Sequence, residues 1–372
     1  MRVSILTNGP GELWGWARPV IHELKRRGCD ISLWLLPCQY ASGHEYQAAK
    51  ILGADEIHSH NVNDLNIANI INLWRGLGRE RADRVLQLGG DLFWGNRIAK
   101  ANNTKLFCYS YGYKKGLQTA QAFTAFNSQL KLFKNLQGVQ AIGDLVKDAL
   151  KLDLKLNLSI WNDDDAGLKV LYLPGSRPKI RRAVLPWLAE FNKKLNELIN
   201  INFITLLPIF APQDELEAWQ EANLHPVIAP SGLAMAQADF AITQPGTNTL
   251  ELMHSGLPAL VIAPESFLDV VPLSGLKGLA AKFLSKNIKR RALHKVIAKW
   301  GGFISLPNRI ANKFILDELY GDVSIEQIAL KACEILNDKA KLKSEREELL
   351  NLSGSQGSAA EILCDELLNY EK

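Results

Sequence analysis

The sequence predicts an α/β protein with two doubly wound, mostly parallel sheets, and three observations carry that prediction. Short apolar runs alternate with helical stretches along most of the chain, the pattern of strands joined by crossover helices. The alternation breaks once, at 150–167 (LKLDLKLNLSIWNDDDAG), and then resumes, which marks a junction. A chain of 372 residues is long enough for two domains with their own cores.

The elements follow in order. A strand at 3–7 (VSILT) leads through Asn8-Gly9-Pro10-Gly11-Glu12 into a helix at 14–27 that Gly28 closes. Strands are expected at 30–36, 84–88, 105–109, 123–126 and 138–142, with a helix at 92–100. Sheets of this type bind ligands on the loops beyond the carboxyl ends of their strands. In the first half those loops hold Asn8, Gly9, Gly11 and Glu12, and the turn Gly89-Gly90-Asp91. Asp91 reads two ways, as a general base or as the N-cap of the following helix.

In the second half, 169–173 (KVLYL) is a buried strand, followed by Pro174-Gly175-Ser176-Arg177 and a helix over 183–200 with Leu185, Leu188, Phe191, Leu195 and Leu198 at helical spacing. Gly175 lets the backbone approach a ligand, and Arg177 offers a forked cation suited to phosphate. A second unit has a strand at 240–243, a loop through Gln244, Pro245, Gly246 and Thr247, a helix through Asn248, Thr249 and Glu251, and a strand at 259–263. The free N–H groups of such a helix start form an anion site, and Glu251 is placed to accept the hydroxyls of a ribose. A plain crossover capped by Thr is the competing reading.

Composition is ordinary for a globular protein, with 47% hydrophobic and 22% charged residues. No apolar run is long enough for a transmembrane helix, and the start MRVSILTNGPGE lacks the pattern of a secretory leader. Cys29, Cys38, Cys108, Cys333 and Cys364 lack metal-site spacing and are expected as free thiols in a reducing cytoplasm. No metal is expected: His58 and His60 would share a face if the segment were a strand, but no Cys or third His lies nearby. Net charge is +4, yet residues 270–316 hold ten Lys or Arg and no Asp or Glu, interleaved with Leu, Ile, Phe and Trp. Basic amphipathic segments bind anionic lipid, so Lys282, Lys286, Lys289, Arg290 and Arg291 are expected on a membrane surface; a solvated helix face, with some of these cations facing a nucleotide, is the competing reading. No RNA-binding motif accompanies the charge, so nucleic acid is not expected as a partner.

Three motifs in order, LPGSR (173–177), GTNTLE (246–251) and ISLPNRIANKFILDEL (304–319), resemble the lipid-A-disaccharide synthase family. The resemblance spans most of the chain and is strongest over 170–330. It implies a GT-B fold, two Rossmann-like doubly wound domains facing a cleft: an acceptor-side domain over 1–160, a nucleotide-sugar domain over 161–350, and a last helix over 351–372 that crosses back to the first domain. It also implies a cytoplasmic enzyme, peripheral on the inner face of the membrane, that transfers a sugar from a UDP-N-acetylglucosamine-like donor to a lipid-linked or acylated acceptor with inversion, without metal or other cofactor. A homodimer is left open. The implied donor residues are Gly175, Ser176, Arg177, Gln244, Gly246, Thr247, Asn248, Thr249, Glu251 and Asn308. The base is Asp91, with Glu12 as second choice, and Asn8, Gly9 and Gly11 form the acceptor-side loop. Two features depart from the family: its GEASGD loop is replaced by NGPGE, and its Gly-His pair by Gly143-Asp144. A hexosamine epimerase of the same fold and a catalytically inactive nucleotide-sugar-binding protein are the alternatives.

Overall fold

A computed structural model of the chain describes residues 1–38, 43–60, 67–134, 136–156, 158–161, 167–175, 177–209, 211–267, 290–291, 294–295, 297–298, 300–354 and 357–370. The chain divides into two compact units, Met1–Leu152 with Ser355–Lys372, and Asp153–Gly354. The division falls at Leu152 rather than 160, because Asp153 already belongs to the second unit: its buried carboxylate accepts the Gly232 N–H at 2.9 Å.

The first unit is a seven-stranded sheet of β1 (Arg2–Thr7), β2 (Asp30–Leu35), β3 (Glu56–Ser59), β4 (Arg84–Leu88), β5 (Leu106–Tyr109), β6 (Ala120–Thr124) and β7 (Gln140–Ala141), ordered β3-β2-β1-β4-β5-β6-β7. Its pairings are parallel. Its helices are α1 (Pro10–Glu12), a π-helical turn (Leu13–Ala17) that runs into α2 (Arg18–Arg26), α3 (Glu45–Lys50), α4 (Ile67–Arg79), α5 (Leu92–Ala101) and α6 (Leu145–Asp153). Every residue of β4 is buried, as a central strand covered by helices on both faces requires.

The second unit holds β8 (Lys169–Leu173), α7 (Pro178–Leu198), β9 (Asn202–Leu207), α8 (Gln213–Glu221), β10 (Pro226–Ile228), α9 (Ser231–Ala236), β11 (Phe240–Thr243), α10 (Asn248–Ser255), β12 (Ala259–Pro264), α11 (Leu306–Ala311), β13 (Asp317–Gly321), α12 (Ile325–Asn337) and α13 (Lys339–Ser353). Its six-stranded parallel sheet is ordered β10-β9-β8-β11-β12-β13. Helix α7 begins five residues before the expected start, with Pro178 in its first turn, where a missing N–H costs nothing. Its buried stripe of Val184, Leu188, Phe191 and Leu195 packs on Tyr172 and Phe240. The last helix, α14 (Ala359–Leu368), belongs to the first unit.

Both sheets reverse strand order once, between β1 and β4 and between β8 and β11. At such a switch point neighbouring loops turn away from each other and leave a crevice. The glycine loop Asn8–Glu12 and the Gly89-Gly90-Asp91 turn flank the first; the Gly175 and Gly246 loops flank the second. Among the described residues, no helix is long and apolar enough to cross a membrane.

Candidate functional site

In the second unit, Gly175 has φ +93°, a conformation that only glycine adopts freely, and it sits open with no atom near a would-be Cβ. Arg177 follows with extended backbone at the start of α7 and is half-buried. Ser176 lies outside the described residues. The side-chain amide of Gln244 donates to the Pro174 carbonyl at 3.2 Å and so ties the two switch-point loops together. Gly246 and Thr247 are exposed at the start of α10 with Asn248 beside them, and Gly246 has open space where a side chain would be. The backbone N–H groups of this turn therefore face solvent at the positive end of a helix.

Two expected donor residues serve the framework instead. Asn308 is fully buried and all its hydrogen-bonding positions are taken. Its Nδ2 donates to the Leu316 carbonyl (2.9 Å) and Glu318 Oε1 (2.7 Å), and its Oδ1 accepts from the Ile315 and Leu316 N–H groups (2.8 and 2.9 Å). No capacity remains for a ligand. Thr249 is likewise buried: its hydroxyl donates to the Gly246 carbonyl (2.7 Å) and accepts from the Leu306 N–H (3.2 Å). The SLPN segment thus braces the Gly246 turn from behind. Glu251 is half-buried and accepts from the Ser231 hydroxyl at 3.1 Å, which fixes its carboxylate at the edge of the loop.

Sequence reasoning missed a buried ion pair behind this site. Arg181, 1% exposed, forks onto Glu215 at 2.5 and 2.7 Å and reaches the Gly175 carbonyl at 3.5 Å. It stands four residues after Arg177, one turn along α7, and that spacing was the available signal.

In the first unit Asp91 is the N-cap of α5: its Oδ1 accepts the Phe93 N–H at 2.9 Å, and the residue is exposed. The turn before it is pinned by Gln87, fully buried, whose Nε2 donates to the Gly89 and Asp91 carbonyls at 2.9 and 2.7 Å. Lys114 Nζ donates to the Gly90 carbonyl at 3.2 Å. Glu12, in the same turn as Gly11, folds its carboxylate over Gly9, into the volume a side chain there would occupy. A Cβ on Gly89 would lie 2.6 Å from Asn8 Oδ1 and 3.1 Å from Glu12 Cγ, so Asn8, Gly9, Glu12 and the Gly89-Gly90 turn form one cluster. Asn8 Oδ1 is buried there without a hydrogen-bond partner among the described residues, a costly state.

Asp144, which replaces the His of the resembled family, is a buried hub. It accepts from the Tyr111 hydroxyl (2.7 Å), the Tyr109 hydroxyl (3.4 Å) and the Val146 N–H (3.1 Å). Burial, with Asp144 alongside, pushes both phenols well above their ordinary range, so they remain donors. Glu56, His58 and Glu80 offer ligand atoms within 4.8 Å of one another, but Arg2 already pairs with Glu56 (2.6 Å) and Glu80 (3.4 Å), so the group is an ion-pair network. The cysteines are free; Cys333 alone among them is not buried. Lys282, Lys286 and Lys289 lie outside the described residues. Arg290 pairs with Glu265 at 3.3 Å, and Arg290, Arg291, His294 and Lys295 line one shallow depression.

No protein-family model matches the chain, and no curated protein sequence does. Solved structures do. MurG of Acinetobacter baumannii is similar over 99% of both chains, with 14% identity and a TM-score of 0.58. A UDP-GlcNAc 2-epimerase from Neisseria meningitidis, bound to UDP-GlcNAc, is similar over 100% of both chains at 15% identity and a TM-score of 0.57. The glycosyltransferase VinC, in complex with DTDP, is similar over 99% of both chains at 13% identity and a TM-score of 0.55. At such identity the likeness establishes the fold. The chain has the GT-B fold, two parallel-sheet, Rossmann-like doubly wound domains.

Proposed function

We propose that this chain is an inverting, metal-independent glycosyltransferase that uses a UDP-sugar of the UDP-N-acetylglucosamine type and a lipid-linked or acylated sugar as acceptor. The observation that carries the reading is the second unit's switch point. There Gly175 and the Gly246–Asn248 turn offer open backbone, Arg177 stands alongside, and Glu251 is held at the rim. Arg, helix dipole and N–H groups stabilise a departing diphosphate without a metal. Glu251 takes the ribose hydroxyls. Two proteins of the same fold support the reading, VinC, named a glycosyltransferase and bound to DTDP, and the 2-epimerase bound to UDP-GlcNAc.

In the reaction the acceptor hydroxyl oxygen attacks the anomeric carbon from the face opposite the diphosphate. The carbon–oxygen bond to the β-phosphate breaks, its electron pair leaves with UDP, and the hydroxyl proton passes to a carboxylate. Asp91 is committed to capping α5, whereas Glu12 lies in the Asn8–Gly9–Gly89 cluster; Glu12 is therefore assigned as the base and Asp91 as the cap. Membrane association has support on both units. The basic depression at Arg290–Lys295 is one feature. The other is the exposed apolar character of α4 and α5, where Ile70 and Ile71 (both 42% exposed) stand on the one and Phe93 (54% exposed) on the other, with Trp74 stacked on Phe93 at 4.6 Å under Arg97.

The UDP-GlcNAc 2-epimerase neighbour favours a second reading, epimerisation of the donor sugar. One experiment separates them. Incubated with UDP-N-acetylglucosamine alone, an epimerase forms the 2-epimer of the nucleotide sugar. The transferase leaves the donor intact until an acylated glucosamine acceptor is added and then releases UDP. In that assay Glu12→Gln is expected to lower turnover about 100-fold or more, with Asp91→Asn near wild type and UDP affinity unchanged in both. Conversion without acceptor would replace transfer by epimerisation; wild-type turnover in Glu12→Gln would return the base to Asp91.

A further inference from the structure

At the carboxyl ends of β1, β2 and β3, wholly within the first unit, lies a pocket of about 440 Å³. That volume falls in the ordinary range of small-molecule sites. Asn8, Gly9, Tyr46, Gln47, Ser59 and His60 contribute to its wall, and Glu45 is its charged member. Among the described residues the lining holds no Lys or Arg, and the chain explains why. Between Arg27 and Arg75 the sequence holds five Asp or Glu and one basic residue, Lys50, which sits over the Tyr46 ring at 4.8 Å. Burial, with His58 beside it, holds His60 below its ordinary range, so at neutral pH its uncharged ring both donates and accepts. Its plane is set by stacking on Trp34 at 6.0 Å. The second unit is built the opposite way, with Arg177 and Arg181 beside its switch-point loops.

We propose that this pocket binds an uncharged sugar ring of the acceptor and disfavours a sugar phosphate. The amides of Asn8 and Gln47, the hydroxyls of Tyr46 and Ser59 and the neutral His60 match alternating sugar hydroxyls, while the Glu45 carboxylate opposes a phosphate. Gly9 belongs to the pocket wall, and the Glu12 carboxylate lies against the same glycine, which puts the pocket next to the proposed base. The inference rests on the transferase reading for naming the ligand as acceptor; the charge selection stands on the pocket itself.

The test uses the full-length chain and two probes, methyl N-acetylglucosaminide and N-acetylglucosamine 1-phosphate, with binding read by saturation-transfer NMR and calorimetry. The wild type is expected to bind the methyl glycoside at least tenfold more tightly than the phosphate. His60→Ala weakens the methyl glycoside at least fivefold. Gln47→Lys, at an exposed position, raises phosphate affinity at least tenfold and weakens the glycoside, which loses the Gln47 amide, so that the preference narrows or inverts. Preference of the wild type for the phosphate, binding of neither probe, or indifference of both probes to Gln47→Lys and His60→Ala would overturn the pocket assignment. UDP is titrated into the same samples. Its failure to bind would remove the donor reading while leaving the glycoside result to stand or fall by itself.

Discussion

At the scale of single residues, motif letters and ligand contacts are different things. LPGSR, GTNTLE and SLPN all surround one switch point, as their order suggests, yet Asn308 and Thr249 face inward and hold the turn that Gly246 and Thr247 present outward. The sequence cannot separate these roles, because a buried Asn and a ligand-facing Asn are the same letter until Leu316 and Glu318 are folded around it. Asp91 shows the same limit: a capping residue and a base use the same carboxylate. Gly9 makes a sharper case. Its backbone is ordinary, with φ −117°, so its value is space: a methyl there would overlap Glu12 Oε2. A flexible carboxylate can move aside cheaply. Gly9→Ala is therefore expected to change stability by less than about 1 kcal/mol. It should leave UDP affinity as it is and lower turnover at least tenfold, because displacing a reacting group by about 1 Å costs that much or more. Melting and steady-state measurements on one preparation check it. Normal turnover would detach Glu12 from catalysis.

At the scale of elements, several central strands were legible in the sequence, while the edge strands β3 and β13 were not. Strands 84–88, 169–173 and 240–243 were expected with the bounds observed, because strands covered on both faces are continuous apolar runs. Edge strand β3 (EIHS) and edge strand β13 (DELYG) are polar enough to read as loop, and their pairing with β2 and β12 is a tertiary fact. β13 also organises a charged cluster that no pattern announced. Asp317 pairs with Lys341 and with Lys331 (3.7 Å), and Glu345 on α13 sits behind them, 6% exposed, with Lys341 Nζ 3.9 Å from its Oε1. Burial, with Asp317 adding repulsion, pushes the Glu345 carboxyl up to about 8. The sign follows from linkage. The folded state holds the proton that the unfolded chain loses near the usual value of 4.5, so Glu345 costs nothing below that pH and destabilises increasingly as pH rises to about 8. Glu345→Gln should therefore raise the melting temperature at pH 8 clearly more than at pH 5. An equal shift at both pH values would show that the carboxyl titrates normally.

At the scale of the whole molecule, the chain builds one sheet, then a second, and returns to the first. The return is held by specific bonds. Arg84 donates to the Leu367 and Tyr370 carbonyls at 2.7 and 2.5 Å, Arg27 pairs with Asp365 at 2.6 Å, and buried Asp148 accepts the Ala360 N–H at 2.8 Å. Beneath them α14 buries Ala359, Ala360, Leu363, Cys364 and Leu367 in the first unit, and Tyr370 meets Phe107 edge-on at 5.4 Å. The amphipathic spacing of this helix was visible in the sequence; its destination followed only from resemblance, since Arg84 and Leu367 are 283 residues apart. Ending the chain at Gly354 removes two buried leucines, each worth about 1.5–3 kcal/mol, and leaves the Arg84 and Asp148 groups without partners, at about 1–3 kcal/mol each. For a domain of this size each kcal/mol moves the midpoint by about 2–4 °C, so the first unit should melt at least 10 °C lower. The second unit keeps its sheet and both switch-point loops, so stabilisation by UDP should persist in it. Differential scanning calorimetry with and without UDP reads both outcomes. Loss of the UDP effect on truncation would mean that nucleotide binding depends on the first unit, and an unshifted first-unit transition would mean that α14 contributes little to it.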